Sequence, residues 1–239
     1  MHKLLIVALL PLAACQSNAE KAEAASPSGP GATRSYAATG FTGVDLRGSD
    51  SVDVKPGAAF SVVAEGDPKV LDLLEIIVVG DTLRVGRKRS ATNWAWGSDK
   101  GARIHVVMPR LQSASVGGSG DLVVERAQGD FTGAVSGSGD LDVRRLDGGA
   151  ADLSVAGSGT LKIAGTAAKL KANVAGSGDI EAAGLVASGA QVSIAGSGNV
   201  AATVKGAAAV SLVGSGDATL TGGAQCSVSA VGSGEAHCS

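Results

Sequence analysis

From Val116 onward, apolar and polar positions alternate in short bursts. Leu153, Val155, Leu161 and Ile163 keep a spacing of two through Gly157 and Gly159. Val116, Leu122 and Val124 do so through Gly118 and Gly120, and Val174, Ile180 and Ala182 through Gly176 and Gly178. Period two belongs to a strand with one face buried, and the three-and-four spacing of a helix is absent. Each burst surrounds the same phrase. Gly-Ser-Gly begins at Gly118, Gly137, Gly157, Gly176, Gly196, Gly214 and Gly232, at intervals of 19, 20, 19, 20, 18 and 18 residues. A fixed period of this size marks a solenoid, in which each repeat is one coil. So short a coil has no room for a strand, a helix and their connections. The pattern predicts an all-β, single-stranded parallel β-helix of about 18–20 residues per coil. Each strand pairs with its equivalent one coil on, about 4.8 Å away.

Stacking assigns roles to the repeated positions. The glycines turn a corner or leave room where the coil narrows. Each Ser lies over the next. The residues after the phrase, Asp121, Asp140, Thr160, Asp179, Asn199, Asp217 and Glu235, form a polar column. Thr160 and Asn199 dilute like-charge repulsion along it. Aromatic residues make up only 3% of the chain, so the core is built of Val, Ile, Leu and Ala.

Residues 39–116 are less regular. Alternating or apolar runs at Phe41–Leu46, Ser51–Lys55, Phe60–Val63, Ile76–Val79, Leu83–Val85 and Arg103–Val107 predict strands. Asp67-Pro68 starts a short helical turn. Gly48-Ser49-Asp50 reads as a degenerate first copy of the phrase.

The chain opens with a basic tip and an apolar run, Leu4 to Leu12, ending in Leu12-Ala13-Ala14-Cys15. This resembles a bacterial lipoprotein signal peptide over 1–14, with a lipobox that makes Cys15 the lipidated first mature residue. The apolar run is too short for a permanent span. Gln16 after the cysteine implies sorting to the outer membrane. Residues 15–38, rich in Ala, Ser, Gly, Pro and charge, predict a flexible tether.

The remainder, 39–239, resembles the head GIN domain family of auto-transporter adhesin-like proteins, a domain of unknown function. The residues carrying the likeness are Phe41-Thr42-Gly43-Val44, Leu83-Arg84-Val85, Ile104 to Pro109, and Leu111 through the Gly-Ser-Gly-Asp-Leu phrases. The resemblance implies a right-handed β-helix-like fold on an envelope protein. It supplies no catalytic residue.

Charge and cysteines narrow the picture further. The net charge is −2, or −3 once Lys3 leaves with residues 1–14. That gives no electrostatic basis for nucleic acid or for a polybasic hold on anionic lipid. Beyond Cys15, Cys226 and Cys238 lie at the last coil, where an oxidising compartment favours a disulfide that ties down the open end. Gly117 to Asp121 has neither the spacing nor the period of a calcium-binding nonapeptide, and no Gly-Lys-Ser/Thr completes a phosphate loop. Asp142, Arg144, Arg145 and Asp147 are close enough in sequence to consider for polysaccharide chemistry, but they read best as a solvated turn. His105 reads as a polar strand position, and His237, beside Glu235, as a weak metal ligand. Trp94 and Trp96, next to Arg87-Lys88-Arg89, form the most binding-like loop, against packing onto the coil as the alternative. The expectation is a lipid-anchored envelope protein of structural or adhesive role, with no cofactor and no catalysis. Its partners would be the membrane through its lipid, and envelope polysaccharide or protein. The alternative is a carbohydrate-binding or carbohydrate-processing β-helix.

Overall fold

The computed structural model describes residues 23–25, 27–28, 32–88 and 101–239. The described residues form a β-solenoid, 68% of them in strands and 3% in helix. Each coil contributes one strand to each of two sheets. Ala150–Gly157, for example, lies in one sheet between Phe131–Gly137 and Lys169–Gly176, in parallel register throughout. Thr160–Ala167 follows it in the other, between Asp140–Asp147 and Asp179–Ala187. Alternate side chains point between the sheets. Leu153, Val155, Leu161 and Ile163 are buried there, each in register with its equivalent in the preceding coil.

The Gly-Ser-Gly phrase is therefore not mid-strand. It is the corner that carries the chain from the first sheet to the second. Every first glycine of the seven phrases has a positive φ, between 121° and 136°. In the first six, its carbonyl accepts two hydrogen bonds from the corner above. Ser177 N and Gly178 N both donate to Gly157 O at 2.9 Å, and Ser197 N and Gly198 N both donate to Gly176 O at 2.9 and 3.2 Å. The second glycine packs inward against the corner below. A Cβ at Gly178 would stand 2.7 Å from Val155 Cγ1 and closer still to Gly159 O. Both glycines are fixed by backbone stacking, and the serines between them are exposed.

The unequal repeat lengths are β-bulges in the second sheet. Arg144 and Arg145 together oppose one position of the next strand, where pairing shifts between Val143 and Leu146. Pairing shifts again between Lys162 and Ala164 and between Ala182 and Val186. The bulged strands Asp140–Asp147 and Asp179–Ala187 lie in the two coils of 20 residues.

The first coil, Gly43–Gly48 and Ser51–Pro56, sits inside the stack and not at its start. Ser113–Gly118 and Asp121–Val124 pair with it on one side. Thr82–Arg87 and Arg103–Met108 pair with it, also in parallel, on the other. Beyond these the end is closed by antiparallel strands, Ser61–Glu65 on Arg103–Met108 and Leu74–Val79 on Thr82–Arg87. Helix Pro68–Leu73 joins them, with the Asp67 side chain accepting from Lys69 N at 2.8 Å as N-cap. Thr33–Tyr36 pairs antiparallel with Ser61–Glu65, and Tyr36 and Ala38 are buried. This corrects the tether expected over 15–38. Its C-terminal part belongs to the folded domain, because Tyr36 completes the core under the outermost strands. Glu23–Ala24 and Pro27–Ser28 add further antiparallel pairs.

Candidate functional site

Gly48-Ser49-Asp50 is the corner of the first coil. Gly48 pairs with Gly118, and Ser119 N and Gly120 N donate to Gly48 O at 3.0 and 2.8 Å. In the coil beneath, the strand of the first sheet ends at Arg87 and the strand of the second begins at Arg103. Asp50, in the place of the second glycine, is fully buried. Arg87 donates from Nε to Oδ2 at 3.0 Å and from Nη2 to Oδ1 at 2.7 Å, while Ala102 N donates to Oδ1 at 2.8 Å. One carboxylate thus binds both Arg87 and Ala102, which flank in sequence the segment that contains Trp94 and Trp96. Those two residues, Arg89 and Cys15 lie outside the described residues. The role of Asp50 is not visible in the sequence, where only the departure from Gly at this position marks it.

The second candidate surface is the outer face of the second sheet at the bulges. Asp142, Lys162 and Glu181 occupy one row across three neighbouring strands, and Lys162 Nζ is 3.1 Å from Glu181 Oε2. They rim a shallow concavity floored by Ala164, Ala183, Gly184 and Ala201. Thr203 Oγ1 donates to Ala183 O at 2.9 Å, satisfying a carbonyl that the bulge takes out of the ladder. The four residues considered for polysaccharide chemistry separate into two groups. Arg144 Nε is 3.9 Å from Asp142 Oδ2 on this face. Asp147 lies at the far turn, hydrogen-bonded by Arg145 Nε at 2.7 Å and by Arg126 Nε. The hydrogen bonds from Arg145 and then Arg126 hold the Asp147 carboxyl below the usual carboxylate range. Two carboxylates bound up in separate ion pairs do not make an acid–base pair.

His105 is on the exposed side of its strand, Nδ1 3.5 Å from Asp53 Oδ2 and Nε2 3.9 Å from Glu65 Oε2. His237 Nε2 is 3.4 Å from Glu235 Oε2. Among the described residues no three His, Cys, Asp or Glu side chains gather as metal ligands. The polar column makes an inter-coil ladder. Asp140 Oδ1 accepts from Thr160 N at 3.0 Å, Asp179 Oδ1 from Asn199 N at 2.8 Å, Asn199 Oδ1 from Asp217 N at 3.1 Å, and Asp217 Oδ1 from Glu235 N at 2.8 Å. Short acidic and amide side chains suit this position because they reach a backbone N–H one coil away. Cys226 and Cys238 are joined across the last coil, Cα atoms 6.4 Å apart, linking the edge strands of the two sheets.

The chain belongs to the family described as "Putative auto-transporter adhesin, head GIN domain", whose model matches residues 40–224. Its fold is shared with several crystal structures. One, a "putative adhesin" from Bacteroides fragilis, is 22% identical with a TM-score of 0.72, covering 89% of this chain and 99% of that one. A second, a "putative lipid binding protein" from Parabacteroides distasonis, is 21% identical with a TM-score of 0.65, covering 89% and 98%. A third, a "putative adhesin" from Parabacteroides merdae, is 16% identical with a TM-score of 0.62, covering 87% and 95%. A comparison with curated proteins finds no match.

Proposed function

We propose that this protein is a non-enzymatic, lipid-anchored component of the bacterial envelope that adheres to or binds an envelope polymer or protein. The observation that carries the reading is membership of the adhesin-like head GIN family. The lipobox ending at Cys15 supports the anchor, and Gln16 supports the outer membrane. The regular coils support a passive scaffold, since their repeated glycines and acidic column are used up in backbone stacking. Binding then falls to what departs from the repeat. Trp94 and Trp96, between Arg87 and Ala102 in sequence, would supply the aromatic contacts. The test is radiolabelled fatty acid incorporation by the wild type and Cys15→Ser, followed by co-sedimentation with isolated envelope polysaccharide and envelope protein. Label only in the wild type, and binding lost in a Trp94→Ala, Trp96→Ala variant, is the expected result. Label in Cys15→Ser defeats the anchor, and unchanged binding in the double variant defeats the Trp contact.

A second reading, a carbohydrate-binding β-helix, is favoured by the bulged concavity, where Asp142, Lys162 and Glu181 ring a floor of small residues. Binding that survives the Trp changes and is lost in Lys162→Ala supports it.

A further inference from the structure

The coils part where the chain crosses one of them. Arg103–Met108 lies beneath the first coil and Ser113–Gly118 above it, so Pro109 to Gln112 climbs past the first coil's edge. Asp121–Val124 still follows Ser51–Val54 in parallel register, and Glu125 N donates to Val54 O at 2.9 Å. There the ladder opens. Lys55 and Pro56 pair downward with Val107 and Met108, whereas Ala127–Gln128 pairs upward with Leu146 and Asp147. The opening is a cavity of about 90 Å³, several times what one water needs. Its floor is the buried Val54, Met108 and Leu111.

The rim carries one sign of charge. Lys55, Arg110 and Arg126 line it with Gln128, and among the described residues no carboxylate does. Arg126 is bound through Nε to Asp147, which also accepts from Arg145 Nε at 2.7 Å. One carboxylate between two arginines leaves a positive charge over, and the Arg126 fork keeps its Nη donors. Lys55 and Arg110 have no acidic partner among the described residues. Arg110 is nevertheless held in place. Its Nη2 lies against the turn above, where a Cβ on Gly129 would stand 3.2 Å from it.

We propose that this cleft binds a single phosphate group. Its three cations come from three different segments of chain. A flat carboxylate is filled by one guanidinium fork, whereas a tetrahedral oxyanion accepts from several sides at once. The apolar floor strengthens the attraction by keeping water from beneath the anion. Free phosphate and a phosphate ester share this chemistry, and the cavity admits the phosphate while whatever bears it stays outside. The inference goes beyond the adhesive reading and does not rest on it.

Isothermal titration calorimetry of the full chain in detergent, at fixed ionic strength, tests the proposal with inorganic phosphate, glycerol phosphate and glycerol. Wild type is expected to bind a phosphate-bearing probe and not glycerol. Binding of inorganic phosphate alone identifies the free ion as the ligand, and binding of glycerol phosphate identifies an ester. Arg110→Gln and Lys55→Gln should each weaken binding about tenfold or more, and Arg110→Lys, which keeps the charge and loses the fork, should weaken it less. Lys205→Gln removes an exposed lysine several coils away and should leave binding unchanged. No binding of either phosphate probe overturns the proposal, as does full binding by Arg110→Gln or an equal loss in Lys205→Gln. A measurement on the wild type does not depend on the variants folding. Phosphate must shift the NMR signals of the Gly57 and Gly129 amides beside the cleft, and unmoved signals overturn the proposal equally.

Discussion

The same corner position holds Asp50 in the first coil and glycine in every Gly-Ser-Gly coil above it. The contrast shows what the repeat is made of. Above the first coil each corner rests on the one beneath at backbone contact, so the second glycine has no space for a side chain. Asp50 instead carries a buried carboxylate that accepts from Arg87 and from Ala102 N of the coil beneath. Gly48 makes the same point, since a Cβ there would meet nothing within 4 Å although φ is 130°. Regular coils trade side chains for stacking. The first coil keeps a side chain at this position and uses it to bind Arg87 and Ala102.

Paired substitutions sharpen this contrast. Gly178→Ala forces a Cβ into Val155 and the Gly159 carbonyl and should cost about 3 kcal/mol or more. Gly48→Ala meets only backbone strain, on the order of 1–2 kcal/mol. Denaturant midpoints of the two variants measure the difference, and equal losses would break the comparison. Asp50→Ala leaves Arg87 facing a vacated site and should cost about 2–4 kcal/mol, less than a fully buried pair because Arg87 is 25% exposed. Urea titration checks this, and a neutral outcome would show that Asp50 does not anchor Arg87 and Ala102.

Much of the architecture is legible in sequence, because a stacked repeat writes its contacts at a fixed interval. The period gives the parallel register, and the invariant phrase gives the corner. Asp67-Pro68 gives the helix start. Other features leave no local trace. The placement of Thr82–Arg87 and Arg103–Met108 beneath Gly43–Pro56 depends on pairing across some 40 to 50 residues, which apolar alternation cannot specify. The second corner of each coil has no fixed phrase, so the division into two sheets stays hidden. Spacings of 18 to 20 become bulges only when the register is seen. At the candidate site, Trp94 and Trp96 stand out by composition, whereas Asp50 shows only as a flaw in the repeat.

Smaller effects distinguish the last coil and the outer faces from the interior. Reducing Cys226–Cys238 removes a cross-link 12 residues apart in sequence. It should cost about 2–3 kcal/mol by the chain-entropy account, read as a lower melting temperature with reductant. No change would show that the last coil is held by stacking alone. Ser177→Ala, at an exposed corner position, should change stability by less than about 0.5 kcal/mol. Asp147 gives the smallest effect. Its carboxyl is held low by Arg145 and Arg126, so its contribution is present above the ordinary carboxylate pKa. That contribution fades as pH falls through the depressed folded value. Arg145→Ala should move the Asp147 NMR titration upward, and an unmoved titration would show that the ion pair does not form.

Corner-on-corner stacking is tested most directly by native-state hydrogen exchange at the corner amides. Ser138, Gly139, Ser158, Gly159, Ser177 and Gly178 donate to glycine carbonyls of the coil below, although the serines sit at the surface. These amides should exchange as slowly as those of the neighbouring strands. Exchange at the rate of open loops would contradict the stack and leave the Gly-Ser-Gly phrases free for another role.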